Sequence, residues 1–141
     1  MKKILIILAI VVIIVCIILF NYHSIAINKS QILAENEEFE IYLNKEIYGI
    51  DIASIINKAV DKNIKNGVEK DENNFFIQND ENSIEIEIYL TEGEKTYKME
   101  QIYNQGTEQF VQFFLDAKFK SSKVEYNEKN GRIKYILFEQ I

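Results

Sequence analysis

The chain has 141 residues, with 16 Lys and Arg against 22 Asp and Glu, and an apolar opening that splits it unevenly. Lys2 and Lys3 precede that opening and every acidic residue follows it, so the remainder carries 14 basic and 22 acidic residues, a net of −8. Nucleic-acid binding needs a surplus of positive charge to displace counterions, so this balance argues against it, and roughly 105 residues suffice for one hydrophobic core.

Ile4 to Phe20 is a run of 17 residues of which 15 are Ile, Leu, Val or Phe, with Ala9 and Cys16 the exceptions. As a helix the run is about 26 Å long, near the ~30 Å of a hydrocarbon core. Summed insertion preferences favour the bilayer by roughly 5–9 kcal/mol as an upper bound. Apolar side chains surround the helix, so it spans a membrane and does not lie on its surface. A cleaved secretory signal has a shorter apolar core and small residues at the cut. Here the bulky Leu19-Phe20-Asn21-Tyr22-His23 follows, and Ser24-Ile25-Ala26 is the nearest small-x-small site. A lipoprotein needs a small residue before the acylated Cys, but Val15 precedes Cys16. A polar leader ending in Gly, with an early Glu in the helix behind it, is absent too. Lys2 and Lys3 keep the N-terminus cytoplasmic, which places the rest of the chain outside the cytoplasmic membrane.

Residues 21–36 lack Gly and Pro, and Ile25, Ala26, Ile32 and Leu33 repeat every seven residues, so the spacing predicts a helical stalk ending near Glu35 to Glu38. Phe39-Glu40-Ile41-Tyr42-Leu43 alternates as a first strand. Ile52, Ile55, Ile56, Ala59, Val60 and Ile64 form one helical stripe that Gly49 or Asp51 starts and Asn66-Gly67 stops, with Lys58, Asp61, Lys62 and Lys65 facing water. Phe75-Phe76-Ile77 and Ser83 to Leu90 read as strands around the turn Asn79-Asp80-Glu81-Asn82. In the second of these strands Ile84, Ile86, Ile88 and Leu90 supply the core face. Glu92-Gly93-Glu94 turns the chain, and Thr96 to Met99 pairs briefly. A helical region from about Glu100 to Lys118 follows, broken at Gly106 with a fresh start at Thr107. Phe110, Phe113, Phe114 and Ala117 form its core stripe. Val124 to Tyr126 and Arg132 to Phe138 make a hairpin around Asn130-Gly131. Both faces of the last strand are apolar, so it belongs inside the sheet.

This order predicts an α+β fold: an N-terminal transmembrane helix, then one small domain with a mainly antiparallel sheet and two helical regions. The domains are the anchor at 1–20, the stalk or linker at 21–36 and an extracytoplasmic domain at 37–141.

The chain offers little chemistry. Cys16 and His23 are its one cysteine and one histidine, which excludes an intramolecular disulfide and any zinc site built from several such ligands. Both lie in or beside the anchor, so neither serves a domain that begins near residue 37, and Ser54, Ser83, Ser121 and Ser122 have no histidine base. Asp71-Glu72-Asn73-Asn74 and Asn79-Asp80-Glu81-Asn82 fail the calcium-loop pattern: Phe75 stands at the fifth position of the first, Ile84 and Leu90 at the sixth and twelfth of the second. They read as solvated turns. No catalytic, cofactor-binding or metal residues and no cofactor are assigned. The abundance of Ile (26) and Asn (14), a single Arg and the absence of Pro and Trp follow codons rich in A and T, as in a low-GC bacterial genome.

Phe39 and Tyr42, Gly49 before a helix carrying Ile55-Ile56-Asn57, then Tyr97-Lys98-Met99-Glu100, Gly106, Phe110 and Phe138-Glu139 are similar to a loose group of uncharacterised single-span, membrane-anchored small proteins of low-GC bacteria, some of them pilin-like. The resemblance implies the architecture of an anchor and a head, and no activity. The expected function is that of a single-pass extracytoplasmic interaction or structural module, not an enzyme. It is held to the membrane by its N-terminal helix and has room for a protein partner. The alternatives are a minor pilin-like or secretion-apparatus subunit, and an extracellular enzyme.

Overall fold

The computed structural model describes residues 2–141. Among these the element order is α1 (Lys2–Glu40), β1 (Ile47–Tyr48), α2 (Gly49–Lys65), β2 (Glu85–Leu90), β3 (Lys95–Lys98), α3 (Met99–Gln105), α4 (Thr107–Phe114), β4 (Lys118–Tyr126) and β5 (Ile133–Gln140). The chain forms two compact units, one up to Glu35 and one from Asn36 to Ile141.

The described residues of the first unit are all helical, and its apolar side chains from Ile4 to Phe20 are exposed on every side. Among the described residues this is the one helix long and apolar enough to cross a membrane, a description that fits either a single-pass anchor or a signal sequence. Residues 21–35 are helical as the absence of Gly and Pro predicts, and α1 ends at Glu40, beyond the expected stop at Glu35 to Glu38.

The second unit is an α+β head. Its described sheet has the strand order β1-β4-β5-β2-β3. β2 and β5 run parallel, whereas β1–β4, β4–β5 and β2–β3 are antiparallel, so the sheet is mixed and mostly antiparallel. β5 is the central strand, as its two apolar faces require. Ile86 and Ile88 pair with Ile136 and Phe138, and these four side chains share a core with Ile52, Ile55 and Ile56 of α2, Met99 of α3, Phe110 of α4 and Phe119 of β4. The alternation in β2 is the period-2 signature of a sheet with helices on one face only.

Local chemistry accounts for the boundaries. Asp51 accepts a hydrogen bond from the Tyr48 N–H at 2.9 Å and so starts α2, and Gly67, at φ +67°, stops it in the left-handed conformation. Gly106, at φ +99°, separates α3 from α4 where an L side chain would be strained. Asn63 and Asn36 act as side-chain clips. Asn63 Nδ2 donates to the Ile84 carbonyl at 2.8 Å while its Oδ1 accepts from the Ile84 N–H at 2.9 Å, just ahead of β2. Asn36 does the same for the Gly131 carbonyl and the Ile133 N–H, at 2.8 and 2.9 Å, where β5 begins.

Several expected elements are corrected. Phe39 to Leu43 is no strand: Phe39 is buried in the last turn of α1, and the Tyr42 and Leu43 N–H groups donate back to Phe39 and Glu40 carbonyls. No helix breaker intervenes, so the helix continues until Phe39 reaches the head core. The first strand is only Ile47–Tyr48. Phe75-Phe76-Ile77 makes a single bridge, Lys70 to Phe76, because Asp71 Oδ1 gathers the Asn73 and Phe75 N–H groups into a tight turn. Helix α4 stops at Phe114, four residues early, since Lys118 and Phe119 pair with Tyr48 and Ile47. In α2, Ile64 is exposed and Asn63 is buried in its place, while Lys58 and Lys62 are half-buried against the Tyr42 and Phe39 rings. The hairpin loop is longer than an Asn-Gly turn. Asn127 closes it, donating its N–H to the Arg132 carbonyl and accepting from Gly131 at its own carbonyl.

Candidate interaction surface

The helical side of the head carries an apolar groove of about 170 Å³. Leu90 and Tyr97 supply one wall from the ends of β2 and β3, Ile102 comes from α3, and Phe110, Phe113 and Phe114 come from α4. Gln105 and Gln109 stand at its lip on either side of Gly106. Its aromatic floor is held from behind: the Phe110 and Phe114 ring centroids are 4.8 Å apart, and both rings lie against Phe119, at 6.1 and 6.4 Å. Gly49 allows this closeness, because a Cβ there would lie 2.1 Å from the Phe114 carbonyl oxygen. The core stripe expected on this helix is therefore only partly core. Phe110 is buried and Phe114 half-buried, but Phe113 is 81% exposed. Only Gly106 signalled this in the sequence; the end at Phe114 is set by the pairing of Lys118 and Phe119 with β1. Gly106 and the early end at Phe114 leave a helix of two turns, too short to bury aromatics on both flanks.

A polar surface covers the other face of the sheet, where Glu85, Glu87 and Tyr89 of β2 adjoin Tyr135 and Leu137 of β5. Tyr135 donates its hydroxyl to Glu87 Oε2 at 2.7 Å, and Lys123 lies over the Tyr135 ring at 5.3 Å. Lys98 meets Glu85 at 2.6 Å, and Lys123 and Lys134 meet Glu125 at 2.6 and 3.5 Å. Burial, then the Glu87 carboxylate, holds the Tyr135 phenol well above its ordinary range. The hydrogen bond to Glu85 raises Lys98, and that from Lys123 lowers Glu125. A hollow of about 270 Å³ opens beside these groups. Each charged side chain lining it is paired: Lys123 and Lys134 with Glu125, Glu85 with Lys98 and Asp80 with Lys129.

Ser83, Ser121 and the acidic turns have structural partners. Ser83 Oγ donates to the Asn79 carbonyl and accepts from the Asn79 N–H, and Ser121 Oγ accepts from the Asn44 N–H. Asn79 Oδ1 collects the Glu81, Asn82 and Ser83 N–H groups. Glu100 lies buried in the first turn of α3 and accepts the Phe76 N–H at 3.2 Å, tying down the loop before β2. Cys16 and His23 both lie on α1 within the first unit.

No protein-family model matches the chain, no curated protein is similar to it, and no solved structure matches it.

Proposed function

We propose that the chain is a single-pass membrane protein whose head, from Asn36 onward, stands outside the cytoplasmic membrane and works as a non-catalytic interaction or structural module. The observation that carries this reading is the distribution of charge about the apolar helix: Lys2 and Lys3 stand ahead of Ile4 to Phe20, and all 22 carboxylates lie behind it. Short basic flanks stay in the cytoplasm, and an acidic head is soluble and repelled by anionic headgroups. The head offers an exposed aromatic at a groove and a self-paired polar sheet face, which suits contact with another macromolecule better than chemistry on a small substrate. Protease shaving of intact protoplasts expressing the chain with a C-terminal epitope tests the topology. The reading expects the epitope to be lost without lysis. Protection of the epitope until the membrane is broken contradicts it.

A second reading, a minor pilin-like or secretion-apparatus subunit, is favoured by one feature. Helix α1 runs unbroken from Lys2 to Glu40, and its last turns bury Asn36 and Phe39 in the head. A subunit that assembles through lateral helix packing needs such a helix built into its head. Fibre proteins co-purifying from the membrane fraction support that reading; a chain recovered without them counts against it.

A further inference from the structure

We propose that two copies of the chain pair through their heads about a two-fold axis, each setting its Phe113 ring into the other's groove between α3 and α4. This inference rests on the reading of the head as an interaction module and names its partner as a second copy.

Shape carries the first part of the argument. Phe113 is 81% exposed, so most of its ring lacks contacts within its own head, although it stands at the mouth of the groove. The groove measures about 170 Å³. A cavity of about 150 Å³ with Leu, Ile and Phe walls holds one benzene ring, so the space suits a single aromatic side chain. Two identical subunits that meet about a two-fold axis must each supply knob and hole from one patch. Phe113 is the knob, and Leu90, Tyr97, Ile102 and Phe110 line the hole. Ring meets ring there, an arrangement that adds to simple burial.

Polarity points the same way. No charged side chain lines the groove, and its polar side-chain groups are the Gln105 and Gln109 amides and the Tyr97 hydroxyl. Each of these both donates and accepts, so it can bond to its own counterpart on an identical surface, as a carboxylate or an ammonium group cannot. An apolar centre depleted of charge inside a polar margin is the anatomy of a protein interface. Outside the groove, Lys95 on β3 lies over the Tyr97 ring at 4.8 Å, and the exposed Asp116 follows α4. Exchange of Phe113 lays α4 of one copy over the β3 wall of the other, which brings these opposite charges together. The chain beyond the anchor is otherwise acidic, with a net of −8, so like charge opposes less specific pairings. A charged partner finds no counter-charge in the lining, and an acyl chain is longer than a space for one ring. Copies anchored in one membrane share a plane and an orientation, which raises their effective concentration and lets a small patch hold them.

The test is sedimentation equilibrium of the full chain in neutral detergent micelles matched in density to the solvent, with the ratio of protein to detergent raised stepwise. The native chain is expected to pass from one copy to two. Phe113→Ala should weaken the pairing about tenfold or more, because each dimer loses two buried rings. Gln109→Glu, which sets a carboxylate at both lips, should weaken it about tenfold. Ile64→Ala, at an exposed apolar position outside the groove, should leave it unchanged. Phe113 is too exposed for its truncation to unfold the head, and denaturation of each variant confirms that the fold is kept. A chain that stays monomeric at every ratio overturns the proposal. So does a dimer that Phe113→Ala leaves at native affinity, which would place the contact in the anchor helix or on another face. Pairing in micelles does not depend on which side of the membrane the head occupies. A topology contradicted by shaving therefore leaves the dimer standing, and a monomeric chain leaves the topology standing.

Discussion

Asn63 is the polar residue on which the head leans most. It is fully buried on α2, and its amide fills both hydrogen-bonding groups of Ile84, the N–H at 2.9 Å and the carbonyl at 2.8 Å. Ile84 is itself buried and precedes β2, so neither group has a ladder partner within that strand to fall back on. Asn63→Ala orphans two buried backbone groups at about 1–3 kcal/mol each, a loss of about 2–6 kcal/mol. Against a total stability of about 5–15 kcal/mol for a domain of this size, that lowers Tm by roughly 10–30 °C. Asn63→Leu separates hydrogen bonding from burial, because it supplies apolar volume and orphans the same two groups. Both variants should lose stability by similar amounts in urea denaturation of the full chain in micelles. Tyrosine fluorescence or near-ultraviolet dichroism serves as the probe, since the chain has eight Tyr and no Trp. Amide exchange at Ile84 should accelerate more than at Ile88 in both. An Asn63→Leu head as stable as the native one refutes the reasoning and reduces Asn63 to a space filler.

Gly49→Ala should destabilise the head by about 2–4 kcal/mol, read as a fall in Tm, because its Cβ would lie 2.1 Å from the Phe114 carbonyl oxygen and must push α4 away. Glu100→Ala leaves the buried Phe76 N–H without its acceptor and should cost about 1–3 kcal/mol, whereas Glu100→Gln keeps an acceptor and should cost less; denaturation of the pair checks the order. Tyr135 makes stability fall on the alkaline side. Its folded pKa is raised above the unfolded value of 10.0, so the contribution is complete below about pH 10 and is lost as pH climbs further, when the unfolded chain releases the proton that the folded head retains. Tyr135→Phe should flatten that alkaline slope in a pH series of melting curves.

The elements most legible in the sequence are those where a periodicity is confirmed by a breaker. The α2 stripe ends at Asn66-Gly67, the four alternating apolar residues from Ile84 to Leu90 are all buried, and Gly106 divides α3 from α4 as expected. β5 was identifiable as the central strand from its two apolar faces, although nothing local reveals that it lies parallel to β2. That pairing is set by the crossover through the helices. Short apolar clusters were misleading where tertiary contact decides. Phe39-Glu40-Ile41-Tyr42-Leu43 alternates like a strand yet closes α1, since one buried Phe and the clip from Asn36 suffice to hold a helix end. β4 was half hidden, because Lys118 to Lys123 has little strand propensity and is ordered by its neighbours β1 and β5 despite a bulge between Ser121 and Lys123. The groove was hidden for a related reason. Phe113 shares the spacing of Phe110 and Phe114, and only the short length of α4 and the packing of Gly49 against Phe114 turn one aromatic outward.

The retention of α1 as a membrane anchor is the claim on which the rest of the functional account depends, and the intact mass of the mature chain tests it most directly. Mass spectrometry of cells separated into membrane and soluble fractions should find the product in the membrane at about the full 16.6 kDa, with its apolar N-terminal residues attached. A soluble product shortened by the loss of Ile4 to Phe20 would contradict the anchor and make those residues a signal sequence.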